Sequence, residues 1–178
     1  MKRLPSLSAL AALALSACAT PPPTYAPAAG LTPETGATIT GSRDSFADSP
    51  YSSRITVLKI DGVITEAGIA TFSQWDDREL VAPGPHSLEV RATLIKYGLS
   101  ARIGAAVIPF AARAGESYAV RSWARPDQET DRERMDLWVE AANGDRSSPV
   151  VTVPVFLPRG GPVVVPATKN SPMMILDQ

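Results

Sequence analysis

One cysteine and one histidine stand alone in a chain of 178 residues. A lone thiol, Cys18, excludes any disulfide within the chain. With one imidazole and one thiol, Ser-His-Asp, Cys-His and histidine-based zinc sites lack partners or rest on a very thin supply. His86 itself follows Pro83-Gly84-Pro85, which makes it a strand-start residue bonding local backbone. There is no G-x-S-x-G, no phosphate-cradling glycine loop and no dinucleotide fingerprint. Charge of one sign is missing as well: 17 Lys and Arg face 18 Asp and Glu, a net charge of −1, with no basic cluster. Nucleic-acid binding rests on cations that neutralise phosphates, so no nucleic-acid partner is expected, and no electrostatic attraction to anionic lipid either. A long apolar run is lacking too. The stretch at residues 7–15 is the length of a signal h-region and falls short of the roughly 20 residues that a spanning helix needs.

That stretch is informative in its setting. Lys2 and Arg3 precede it, and Leu15-Ser16-Ala17-Cys18 closes it. A positive n-region, an apolar h-region and small residues form the three zones of an export signal. The closing tetrapeptide resembles the lipobox of bacterial lipoproteins: an aliphatic residue, two small residues, then cysteine. The resemblance implies cleavage between Ala17 and Cys18, with Cys18 acylated and left as the first mature residue. It also implies a cell-envelope address. Ala19, where aspartate would mean retention at the inner membrane, implies the periplasmic face of the outer membrane. An ordinary secretory signal is the alternative. Acylation would dispose of the one thiol in an oxidising compartment, and two or three chains anchor stably where one does not.

Residues 1–17 are thus read as the signal peptide and residues 18–36 as a lipidated, Pro/Ala-rich tether. The prolines from Pro21 to Pro33 keep such a segment extended; a ligand for a proline-recognising groove is the other reading. From residue 37 the pattern becomes short apolar runs of period two between turn residues. Strands are expected at residues 37–42 and 53–60, the second ended by the hairpin signal Asp61-Gly62. A strand to about residue 65 and another near 70–74 are less sharply marked. At residues 86–94 Leu88, Val90, Ala92 and Leu94 alternate with Ser87, Glu89, Arg91 and Thr93, a two-faced strand with one wet side. Residues 101–112 read as a strand; helix is the alternative, weakened by Gly104 and broken by Pro109. In residues 117–124, Tyr118, Val120 and Ser122 face away from Ala119, Arg121 and Trp123. Residues 134–142 lead to Asn143-Gly144, a type I′ signal, and 149–156 form the return strand. Seven or eight short strands with turns about every ten residues predict an all-β antiparallel sandwich over residues 37–157, with a Pro/Gly-marked segment at 158–178.

Three groups of residues in the domain resemble small envelope β-modules of the PEGA and transthyretin-like type. They are Ile60-Asp61-Gly62, Pro83 through Val90, and Phe110 through Gly115 to Tyr118. The Pro-Glu-Gly-Ala signature itself is absent. The likeness implies architecture and modules that mostly bind or support without catalytic residues.

Two carboxylate groups remain. Asp76, Asp77 and Glu79 form the first, and an envelope hydrolase using them is one alternative function. Asp127, Glu129, Asp131, Glu133 and Asp136 form the second, interleaved with Arg125, Arg132 and Arg134 as a solvated, self-neutralising loop. Trp75, Trp123 and Trp138 either fill core and edge positions or line a glycan or protein groove, with Trp123 outward by strand phase. The expected protein is a non-enzymatic, membrane-anchored binding or accessory module, with no cofactor and no metal. Its partners would be the membrane, through acyl chains on Cys18, and an envelope protein or glycan. A structural subunit of an envelope complex is the further alternative.

Overall fold

Alternation at residues 86–94 belongs to a thirteen-residue strand, β6 (Gly84–Lys96), in a computed structural model. The structure describes residues 23–46, 51–69, 76–96, 100–125 and 133–158, and the short strands at 163–165 and 174–176. The signal peptide with Ala17 and Cys18, the strand expected at 70–74, Trp75, and Asp127, Glu129 and Asp131 lie outside the described residues. In chain order the elements are β1 (Ala37–Thr40), β2 (Ser42–Ser45), β3 (Tyr51–Ile60), β4 (Val63–Ile64), α1 (Glu66–Ile69), β5 (Arg78–Val81), β6, β7 (Ser100–Ala112), β8 (Ser117–Arg125), β9 (Arg134–Ala141), β10 (Val151–Pro154), β11 (Val163–Val165) and β12 (Met174–Leu176).

Two sheets pack face to face as an all-β sandwich. A long sheet runs β2-β3-β6-β7, with β4 on the β2 side of β3, and a mixed sheet runs β10-β9-β8-β1-β5. β11 and β12 pair as a separate hairpin. The mixed sheet departs from antiparallel order where β1 lies parallel to β8. Inward positions of both sheets form one core: Ile55, Val90 and Ile108 from the long sheet meet Ile39, Val120 and Leu137 from the mixed one, all fully buried. Each such side chain contributes about 1.5–3 kcal/mol relative to leaving it in water.

Residues 100–112 are strand, not helix. β7 is the outer strand of its sheet, where Pro109 is tolerated because ladder hydrogen bonds run on one side only. Gly104 has a packing reason: a Cβ there would stand 2.8 Å from the Pro154 carbonyl oxygen. The chain after β10 crosses β7 closely at that point, exchanging Ile103 N–H to Phe156 O at 2.8 Å and Phe156 N–H to Ile103 O at 3.0 Å.

Two local expectations change and one holds. The strand expected at 37–42 breaks at Gly41, where the chain steps from the mixed sheet (β1) to the long sheet (β2). Asp61-Gly62 forms the expected tight hairpin, with φ of 51° and 83°. The Asn143-Gly144 turn has positive φ at Gly144 and not at Asn143, and Gly144 N–H reaches Ala141 O while Ala141 N–H reaches Asp145 O. This is a three-residue loop with a left-handed glycine, not type I′.

The stretch read as a tether is held to the domain from Thr24 onward. Thr24 bridges Ile64 in parallel, Tyr25 N–H donates to Ile64 O at 2.7 Å, and the Tyr25 hydroxyl donates to Leu80 O at 2.9 Å. Ile64 belongs to the edge of the long sheet and Leu80 to the edge of the mixed sheet. The strap therefore closes the seam between them, with the Tyr25 ring against the core.

Candidate functional site

The outer face of the mixed sheet follows from the pairing of β8 with β9, which sets Ala119 opposite Glu140, Arg121 opposite Trp138 and Trp123 opposite Asp136. β1 adds Thr38 beside Ser117 and Thr40 beside Ala119, and β5 adds Arg78 beside Thr40. Strand alternation turns all of these side chains to one face. Two of the tryptophans singled out from sequence, Trp123 and Trp138, are thereby brought together as diagonal neighbours.

Gly41 shapes one end of this face. Once β1 has left the sheet, β8 beyond Ala119 has no strand paired on that side among the described residues, and Asp44 of β2 takes that place. Its Oδ2 accepts from Ser122 N–H at 3.2 Å, the Ser122 hydroxyl at 3.1 Å and the Ser42 hydroxyl at 3.0 Å. Its Oδ1 takes Arg121 Nη1 at 3.0 Å. Arg121 Nε lies 3.5 Å from Glu140 Oε1, and Trp138 Nε1 donates to Glu140 Oε2 at 3.0 Å. Arg146 stacks over the Trp138 ring, 5.1 Å from its centroid. Trp123 meets the buried Phe46 ring edge to face at 5.3 Å and 69°, and is itself 51% exposed. Its orientation is fixed while much of its surface stays in water. Two concavities of about 270 Å³ each meet at Arg121 and Glu140; one reaches Thr38, Thr40, Arg78 and Ser117, the other Asp44, Phe46, Trp123 and Trp138.

The first carboxylate group lies elsewhere, at the β5 edge of the sandwich. Asp76 is exposed, whereas Asp77 and Glu79 are partly buried. Burial pushes the Asp77 carboxyl above its ordinary range, with Asp76 and Glu66 adding repulsion. Glu79 is raised by burial first, then by Asp77 and Glu66. None of the three lines either concavity of the mixed face.

The second group is not one loop. Glu133 ties the two sheets together, taking Arg102 Nε at 3.0 Å and the Tyr51 hydroxyl at 2.8 Å. Asp136 is buried on β9 and accepts from the Thr152 hydroxyl at 2.6 Å. Strand pairing claims Asp136, and the ion pair and hydrogen bond to the long sheet claim Glu133, both of which composition alone assigned to a solvated loop.

His86 is committed on both ring nitrogens, Nδ1 to Asp61 at 2.7 Å and Nε2 to Ala82 O at 2.6 Å. Its ring leans on Phe110 at 5.7 Å, and Phe110 meets Tyr118 edge to face at 5.5 Å. The residues that carry the resemblance to envelope β-modules thus meet at one end of the sandwich as packing and turn contacts. Among the described residues, no three His, Cys, Asp or Glu side chains are arranged to hold a metal ion.

Sequence reasoning missed Asp44, Phe46, Arg78 and Glu140. Glu140 had a signal, since Asp136, Trp138 and Glu140 follow the period of two; Asp44 and Phe46 had none, because their role depends on the step at Gly41. Scans against protein-family models, curated proteins and solved structures return no match for this chain. Fold and face define a class: an all-β sandwich with one outer face carrying a buttressed, exposed indole.

Proposed function

We propose that this chain is a membrane-anchored envelope lipoprotein whose sandwich acts as a non-catalytic binding module, engaging its partner through the mixed-sheet face. One observation carries the binding reading: Trp123 keeps half its surface exposed while Phe46 holds its ring in place. Fixed aromatics beside polar groups are what binding surfaces use, since little side-chain entropy remains to be lost on association.

The anchoring reading rests on the lipobox-like residues Leu15 to Cys18. Cys18 stands six residues before Thr24, where the strap is docked. At roughly 3.5 Å per extended residue, the leash from an acylated Cys18 to Thr24 can reach at most about 20 Å. Thr24 meets the end of the sandwich that carries the Asp61-Gly62 hairpin, whereas Trp123 and Phe46 lie toward the other end. A short leash then turns the aromatic end away from the bilayer.

The hydrolase reading has one observation in its favour, the upward shift of Asp77 and Glu79. Under that reading Asp77→Asn with Glu79→Gln abolishes activity; under the binding reading the pair leaves partner capture intact. A structural subunit would be retained in a stable complex after solubilisation, whatever residue stands at 123. The anchor is tested by labelling cells with an alkyne fatty acid. Wild-type protein is expected to take up label and partition with membranes, and Cys18→Ser to lose both. Labelling and partitioning unchanged by Cys18→Ser would overturn the anchor.

A further inference from the structure

We infer that the mixed-sheet face binds an uncharged saccharide, with one sugar ring on Trp123 and the next over the concavity between Arg121 and Arg78. This deepens the binding reading above and rests on it.

A pyranose has two kinds of surface: an apolar face of C–H groups and a rim of hydroxyls that both donate and accept. Each has a counterpart here. The Trp123 indole offers a flat apolar surface whose electron-rich face suits C–H groups, and the Phe46 edge contact holds it ready. Beside it the polar groups are mixed in kind. Arg121 donates; Asp44 and Glu140 accept; Thr38 and Thr40, whose protons go to Ser117 Oγ and Tyr118 O, accept as well, and Ser117 can do both. The Thr38 hydroxyl donates to Ser117 Oγ at 2.8 Å, so the Ser117 proton is not taken up by Thr38.

Charge selects against other ligand classes. Arg121 is already neutralised by Asp44 at 3.0 Å and Glu140 at 3.5 Å. A polyanion gains little from a guanidinium so paired and meets two carboxylates beside it. That leaves Arg78, without an ion pair among the described residues, as the one cation of this concavity free to attract it. A purely apolar partner would cover the Arg121–Glu140 pair without replacing its water, and taking an ion pair out of water is costly even when it stays paired. Hydroxyls replace that water, donating to the carboxylates and accepting from the guanidinium. Size agrees: about 270 Å³ is just below the roughly 300–1,000 Å³ of clefts that enclose drug-sized ligands, room for a sugar unit and not for a folded segment.

The test is a tryptophan-fluorescence titration of the full-length protein in a detergent without sugar headgroups. The probes are neutral tetraoses of β-1,4-glucose, α-1,4-glucose and β-1,4-N-acetylglucosamine, with tetragalacturonate as the anionic comparison. At least one neutral tetraose is expected to give a saturable change by millimolar concentration. Trp123→Ala is followed by titration calorimetry, because the substitution removes the reporting indole. It is expected to weaken binding on the order of tenfold or more while the chain still unfolds in one cooperative transition, lowered only by the loss of the Phe46 contact. Tetragalacturonate is expected to bind more weakly than that neutral tetraose. The inference is overturned if no neutral tetraose gives a saturable, Trp123-dependent signal, or if tetragalacturonate binds best. Cross-linking from position 119 in intact envelopes separates the two failures. A protein trapped there while all sugars fail sinks the saccharide and keeps the binding face; nothing trapped and no sugar bound sinks both.

Discussion

On the long sheet the outward row of β6 carries Ser87, Glu89, Arg91 and Thr93; on the mixed sheet the outward row of β8 carries Ser117, Ala119, Arg121 and Trp123. Both rows follow the same alternation, yet they end in different surroundings. Glu89 is 6% exposed, Thr56 opposite Arg91 is 2% exposed, and burial lowers the pKa of Arg91. Trp123 is half exposed. The long sheet owes its arrangement to a bulge between Val57 and Lys59. An extra residue at Leu58 reverses the phase of β3, so Ile60 turns inward and Lys59 outward, opposite Glu89 at 3.1 Å. Ion pairing is internal architecture on one face. On the other it borders solvent and open concavities, where a ligand can use it.

Removing a partner from each face sharpens this contrast. Glu89→Ala strands Lys59 beside a buried hole and is expected to cost about 2–3 kcal/mol in urea unfolding, allowing for the partly exposed ammonium. Glu140→Ala on the mixed face is expected to cost less than about 1 kcal/mol. Equal costs would erase the distinction between the faces.

Where the sheets approach each other at β7, Gly104→Ala places a methyl 2.8 Å from the Pro154 carbonyl oxygen and is expected to cost about 2 kcal/mol by calorimetry. At the seam, Tyr25→Phe removes the hydrogen bond to Leu80 O and is expected to cost about 1 kcal/mol. A variant as stable as wild type would show that the strap does not join the sheets.

The smallest effect is one of pH. Asp77 and Glu79 titrate higher in the folded chain than in the unfolded one, so the folded state binds more protons. Stability from these groups is present below their unfolded pKa values and is lost as pH rises through the raised folded ones. Glu79→Gln is therefore expected to stabilise by about 0.5 kcal/mol at neutral pH, with the gain vanishing in acid. Melting temperatures across pH check it, and a gain that persists in acid would contradict the assignment.

Much of the sandwich was legible in the sequence. β6 and β8 declare themselves by clean alternation, and Pro109 with Gly104 argues against helix at residues 100–112. What was hidden depends on tertiary placement. Prolines in 23–36 announce extended chain but not that Tyr25 docks across the seam. The step at Gly41 has no pattern of its own, so Asp44 and Phe46 could not be placed beside Arg121 and Trp123. The wet side expected for β6 is buried at Glu89, because the pairing with Lys59 is created by a bulge that periodicity does not reveal.

The central claim is that one face of this sandwich, and not the other, meets a partner. It is tested most directly with a photoreactive benzoyl-phenylalanine placed in turn at Ala119 on the mixed face and at exposed Ala111 on the long sheet, followed by irradiation of intact envelopes. A cross-linked product from position 119, lost on adding Trp123→Ala and absent from position 111, is the predicted result. Products of equal yield from both positions, or from position 111 alone, would contradict it.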